Sequence, residues 1–306
     1  MELNLMIEGQ EGVTWEQWRA LAAACEEHHV PALFRSDHYL PLGGHEERPV
    51  LDAWSTICGL AATTTTLRLG TLVSPATFRH PSVFAKSAVS ADHISGGRIE
   101  VGLGAGWNAR EHAAYGFPFA DNRTRFDVFA EQLQVVQGLW GDGPFSFAGE
   151  HYRLDAVDAR PKPLQRPHLP LIVGGTGGPR TIALAARHAD EFNTIFATPA
   201  QVAERRALAV AAWEAAGRDP ATLRYSVMAG YLCGRDGDQL HHRLDRLAVE
   251  HGQEPDAATW VTGTPQQALD RLGELRDAGV DRVMLQMLLH DDLEQVALIE
   301  ELAKGL

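Results

Sequence analysis

His38 is the residue of this chain best placed to move a proton or to hold a polar ligand. It sits in the polar stretch Arg35-Ser36-Asp37-His38-Tyr39, directly after the apolar run Val30–Phe34. An imidazole there suits a general base, a hydrogen-bond donor to a cofactor, or a metal ligand. The metal role would need Asp37, His45 or Glu46 beside it, and their spacings match no strong ligand signature, so no metal is expected. A second unit runs from Gly96-Gly97 through Ile99, Val101 and Leu103 to Gly104-Ala105-Gly106-Trp107, with Glu111-His112 close behind. Gly96-Gly97 closes a helix, a short buried strand follows, and Gly104 and Gly106 bare its end so that a flat or anionic group can approach the backbone. A plain strand-to-loop turn is the competing reading of those glycines. The third unit is Gly174-Gly175-Thr176-Gly177-Gly178 ahead of Pro179 and Arg180. Free N–H groups at a helix start, with Thr176 and Arg180, can bind a phosphate. The glycine spacing is neither a dinucleotide fingerprint nor a P-loop. A mononucleotide-type cofactor, a phosphorylated substrate and a structural turn all remain open there.

These units need a frame that brings them to one face. Strands are expected at Leu3–Ile7, Val30–Phe34, Leu67–Val73, Ile99–Leu103, Leu171–Val173, Glu191–Ile195, Leu223–Gly230 and Arg282–Gln286. Helical spacing or capping separates them: Thr14 with Gln17 opens the first helix, and Phe126, Phe129, Leu133 and Val136 stripe a long one over Arg123–Trp140. Pro144, Pro161, Pro163, Pro167 and Pro170 mark an excursion with a hairpin over Asp142–Leu169, and a charged helical insertion is expected over Arg235–Thr259. Eight strands, each followed by a helix, predict a single (β/α)8 TIM barrel over residues 1–306 with insertions after strands 4 and 7. In such a barrel the strand C-termini form the site. Asp37-His38, Val73-Ser74-Pro75, Gly104–Trp107 and Gly174–Gly178 then face one mouth. His28-His29, Asp92-His93 and His241-His242 fall on helices or insertions and are expected to face solvent.

Composition limits the partners. The chain has 306 residues, is 45% hydrophobic and 22% charged, and carries a net charge of -13. That acidity argues against a nucleic-acid face. Of the 27 basic residues only Lys86, Lys162 and Lys304 are lysines, a bias that reads as a GC-rich genome. Cys25, Cys58 and Cys233 have no metal or redox spacing and are expected to be buried, reduced thiols. Met1 leads straight into the apolar Leu3–Ile7 without a basic leader, and no apolar run is long enough for a bilayer. The expectation is a cytoplasmic protein with no membrane partner, acting on a small-molecule substrate; a homodimer is compatible with it.

Ser36-Asp37-His38-Tyr39, Leu69–Pro75, Ser95–Arg98 with Gly102–Trp107, Val173–Arg180 with His188–Glu191, and the closing Val280–Gln286 together resemble the luciferase-like monooxygenase superfamily. More narrowly they resemble its actinobacterial branch of deazaflavin (coenzyme F420)-dependent oxidoreductases. The resemblance implies a flavin-shaped cofactor in the barrel mouth, F420 or alternatively FMN. It implies a non-prolyl cis peptide at Leu72–Val73 whose bulge, continued by Ser74, supports the ring. It places His38 beside the ring and Asp37 at a cofactor-contacting position. The sugar-phosphate dehydrogenases of the family carry an acidic residue directly after the glycine motif, where this chain has Trp107, and an aromatic where it has Leu42. Trp107 therefore suggests a more apolar substrate pocket than a sugar phosphate would need.

The expected activity is hydride transfer between F420 and an organic substrate. A reduced-FMN monooxygenase on the same barrel is the alternative, and a non-catalytic flavin-binding barrel a third reading. A phosphate-binding isomerase or lyase would call for a catalytic lysine or paired carboxylates at strand ends, and the three lysines lie elsewhere.

Overall fold

The computed structural model describes residues 1–43 and 45–306. Eight parallel strands close on themselves. β1 (Glu2–Ile7) pairs with β2 (Ala32–Arg35), which pairs with β3 (Arg68–Thr71). A two-residue strand, β4 (Ser74–Pro75), continues that third position, and both pieces lie along β5 (Ile99–Gly104). With β6 (Phe145–Ala148) and β7 (Arg153–Val157) paired outside it, the ring continues through β8 (Leu171–Gly175), β9 (Glu191–Ile195) and β10 (Arg224–Cys233) to β12 (Arg282–Met287), which returns to β1. This is the (β/α)8 barrel that the alternation of elements predicts.

Helices wrap the outside because each carries an apolar stripe over apolar strand faces. α1 (Trp15–Glu27) starts at a capping box in which Thr14 and Gln17 satisfy each other's free N–H groups. α2 (Ala53–Thr63) and α3 (Pro81–Ser95) follow, and α3 ends on Gly96 in the left-handed conformation. α5 (Asn122–Trp140) buries Phe129, Leu133, Val136 and Trp140. α6 (Pro179–His188), α7 (Pro199–Ala215), α9 (Pro265–Asp277) and α10 (Glu294–Gly305) complete the layer.

Both insertions lie where expected. After β5 the chain adds the antiparallel hairpin β6 (Phe145–Ala148) and β7 (Arg153–Val157), and after β10 it adds α8 (Gly237–His251). Among the elements that escape the sequence reading, two lie near strand ends. α4 (Ala109–Tyr115) is only seven residues long, too short to show a period, although Asn108 three residues before Glu111 is a helix-start signal. β11 (Val261–Gly263) pairs only at the end of β10. Asp92 also departs from expectation. It is buried on α3 and accepts from the Leu164 amide at 2.7 Å and the Gln165 side chain at 2.9 Å, pinning the proline-rich return to the barrel wall. All three cysteines are free, but Cys58 is half-buried where full burial was expected. Among the described residues no helix is long and apolar enough to cross a membrane.

Inside the ring the side chains form layers. Met6, Phe34, Leu72, Ile172, Met228 and Met284 fill the middle. At the end where the strands begin, charge replaces hydrocarbon. Arg282, with no exposed surface, bonds Glu100 at 2.6 Å and Glu191 at 2.8 Å. Arg68 takes the other oxygen of Glu100 at 2.6 Å, and Arg224 pairs with Glu2 at 2.7 Å. Three arginines thus close the barrel floor against three glutamates. Such a plug holds only while every charge keeps its partner.

Candidate active site

The opposite end of the barrel gathers the residues singled out above. β2 runs out into Ser36-Asp37-His38, and each of the three is tied down differently. Asp37 is fully buried, and its carboxylate accepts from Ser74 Oγ at 2.5 Å and from Arg79 at 2.5 Å and 3.2 Å. Arg79 also reaches Asp52 at 2.6 Å and the Tyr39 hydroxyl at 2.8 Å. Ser74 in turn accepts from the Trp54 indole at 3.1 Å. Asp37 and Ser74 therefore meet, and the contact bolts the β2 loop to β4.

His38 faces a second carboxylate. Its Nδ1 lies 2.8 Å from Oε2 of Glu111, whose other oxygen accepts from the Leu40 amide at 3.1 Å and from the Tyr39 amide. Glu111 is fully buried on α4, and the His38 side chain is only 11% exposed. Burial by itself would lower the imidazole's pKa, but the hydrogen bond and charge of Glu111 outweigh it, with Glu8 and Asp37 adding to the rise. Burial likewise resists the charge on Glu111, yet its bonds to His38, Tyr39 and Leu40 hold it below the ordinary carboxylate range. Both shifts favour the imidazolium–carboxylate form of the pair, and Nε2 is the nitrogen left for a ligand. Trp107 stands edge-on to the His38 ring at 5.8 Å and is 64% exposed.

The third strand position breaks at Leu72–Val73, whose peptide bond is cis, as the family resemblance implies. The Val73 side chain then spreads across glycines of two other strands. A Cβ at Gly104 or at Gly174 would stand 2.8 Å from a Val73 methyl, and one at Gly102 would stand 3.0 Å away. The bare backbone at the ends of β5 and β8 is thus occupied by protein. Gly106, at φ +79°, turns the chain away where a Cβ would run into Thr77, between half-buried Ala105 and the exposed Trp107.

Gly175, Thr176, Gly177 and Gly178 lead from β8 into α6. Gly178 caps that helix without any side-chain bond, so its first amides keep no side-chain acceptor. Gly177 lies at φ +88°, a conformation that favours glycine, and a Cβ there would touch the Arg205 side chain at 3.0 Å. Arg205 donates to Thr194 Oγ1 at 2.6 Å and makes no carboxylate pair among the described residues. Arg180 is engaged elsewhere. It pairs with Asp127 at 2.5 Å and lies 5.0 Å over the Phe126 ring.

Sequence reasoning missed a polar cluster on the β1 side of the mouth. Glu8 accepts from Gln10 at 2.7 Å and Gln286 at 2.5 Å, Ser36 donates to Gln10, and the Gly9 amide donates to Ser36 at 3.0 Å. Its only signal is the abrupt change from the apolar Leu3–Ile7 to Glu8-Gly9-Gln10.

A closed barrel whose strand C-termini carry a histidine–carboxylate pair, a strand bulge and an uncapped helix start has the layout of a barrel enzyme. The family model for luciferase-like monooxygenases matches residues 4–282, and the chain belongs to that family. An uncharacterized protein of Mycobacterium tuberculosis (strain ATCC 25618 / H37Rv) is 34% identical over 202 residues, covering 63% of this chain and 68% of its own. The FMNH2-dependent dimethylsulfone monooxygenase of Pseudomonas putida is 27% identical over 236 residues, covering 67% and 65%. Among solved structures, an F420-dependent secondary alcohol dehydrogenase in complex with an F420-acetone adduct superposes with a TM-score of 0.82 at 18% identity, covering 99% of this chain and 98% of that one. The named relatives and neighbours include monooxygenases, a dehydrogenase and a reductase, some linked to F420 and some to FMN.

Proposed function

We propose that the protein is an F420-dependent oxidoreductase that moves a hydride between the deazaflavin and a small organic substrate bearing a carbonyl or alcohol. The His38–Glu111 pair carries this reading. A buried carboxylate fixes the ring and keeps a proton on Nε2, the equipment for protonating a carbonyl oxygen as hydride arrives at its carbon. In the opposite direction neutral His38 accepts the proton as the alcohol loses hydride. Glu111 stays a carboxylate throughout, since both its oxygens are held by N–H groups. The deazaflavin, when bound, supplies two-electron hydride chemistry without oxygen activation. An FMNH2-dependent monooxygenase is the second reading, favoured by the Pseudomonas putida relative.

The residues present fit the cofactor. The uncapped start of α6, with Thr176, Gly177, Gly178 and the carboxylate-free Arg205, would hold its phosphate. Val73, Gly104–Trp107 and His38 would border its ring. Calorimetric or fluorescence titration should show tighter binding of oxidised F420 than of FMN. Micromolar FMN binding with no response to the deazaflavin overturns the assignment.

The phosphate site has its own test. Arg205→Ala should weaken F420 binding by about tenfold or more, as expected for loss of a hydrogen bond to a charged group. Binding of the deazaflavin chromophore stripped of its phosphate-bearing tail should not change. Arg180→Ala, whose partner is Asp127, should leave both affinities alone. Equal losses for the two ligands in Arg205→Ala would remove the phosphate from this loop.

A further inference from the structure

A second cleft, of about 430 Å³, opens between the loops after β1 and β12, the loop carrying Arg48, and α8. It shares no lining residue with the His38–Glu111 pair. Every charged side chain of its lining is paired in place, two arginines against three carboxylates: Arg48 pairs with Glu11 at 2.5 Å, and Arg246 pairs with Glu250 at 2.8 Å and Asp291 at 2.9 Å. Arg48 also donates to the Glu250 carbonyl at 2.5 Å, which fastens α8 to the loop after β2. Two histidines complete the lining, His251, whose Nδ1 accepts from Arg48 at 3.4 Å, and His290, with rings 6.0 Å apart and nearly perpendicular. His290 is 7% exposed, and its Nε2 is buried with no hydrogen-bond partner. Burial and the neighbouring His251 drive its pKa down to about 3, so the ring is neutral. Burial and Arg48 lower that of His251 as well.

We propose that this cleft is a recognition pocket for a neutral ligand bearing hydroxyl or carbonyl groups. An unpartnered polar nitrogen is costly in a buried position and gains most from a ligand that completes its bonding. An anion would meet a lining with one more carboxylate than arginine, and a cation would have to draw a carboxylate away from the arginine that already holds it. A hydroxyl both donates and accepts, so it satisfies a neutral imidazole in either tautomer. The pocket is independent of which cofactor occupies the mouth, and its failure leaves the redox reading untouched.

The test is NMR of the ring nitrogens of the ¹⁵N-labelled protein during titration with myo-inositol, acetamide, inorganic phosphate and methylammonium. Myo-inositol or acetamide should shift the His290 and His251 resonances saturably, and the two ions should not. In His290→Leu the midpoint, followed on His251, should rise by about tenfold or more, with thermal stability equal to or above that of the parent because a polar orphan has gone. His251→Leu, followed on His290, carries the same expectation for the midpoint should His290→Leu fail to fold. No saturable response to either neutral probe overturns the proposal. So does a midpoint that the variants leave unmoved, or a response to the ions alone.

Discussion

Replacing His38 by Ala should lower turnover by about two to four orders of magnitude, the range expected when a group that transfers a proton in the transition state is removed. The barrel should stay folded, because Glu111 keeps the Tyr39 and Leu40 amides as partners. Glu111→Gln probes the same pair through pH. In the parent the raised His38 pKa keeps the imidazolium at low pH, and carbonyl reduction declines as pH rises through that value. Without the carboxylate the decline should begin at lower pH. The pair's stabilisation has a defined window. The His38 share is complete below the ordinary imidazole value of 6.5 and fades as pH rises through the raised pKa. The Glu111 share is present above the ordinary carboxylate value of 4.5 and fades as pH falls through the lowered one. An unmoved pH limb in Glu111→Gln, or full single-turnover hydride transfer in His38→Ala, would remove the pair from the chemistry.

The other large effect lies at the far end of the barrel. Arg282→Met should cost about 3–5 kcal/mol of stability, since it strands Glu100 and Glu191 as buried carboxylates without their shared cation. Glu191 already sits above the ordinary carboxylate range through burial, with Glu100 adding to the rise and Arg282 opposing it. The variant should therefore recover part of its loss as pH falls and these acids take up protons. Adding Glu191→Gln to Arg282→Met should restore stability as well. Urea unfolding at two pH values measures both, and a loss below about 1 kcal/mol would mean that the network is not what holds the floor.

Most of the barrel is legible in the chain, because eight apolar runs alternate with capped amphipathic helices and most strand exits are marked by glycine or a polar cluster. Glu191–Ile195 is an example, with bounds that coincide in sequence and structure. The site is legible only in part. His38 stands out because it follows a strand, but its partner Glu111 lies 73 positions away on a helix of seven residues. Arg180 and Arg205 show the same limit. Sequence adjacency to the glycine loop favours Arg180, whereas folding brings Arg205 from the next helix to Gly177. Gly102, Gly104 and Gly174 look bare in the sequence because the residues that fill their space, Thr71 at the first and Val73 at the other two, belong to another strand position.

The charged floor also bears on traffic. With Arg282, Glu100 and Glu191 packed across the strand beginnings, the barrel is a vessel with one opening. Anything bound deep in the mouth arrives and departs over the same rim as whatever binds above it. The deeper ligand has to be first in and last out, so the order of binding is imposed by the architecture rather than by the relative affinities of the two.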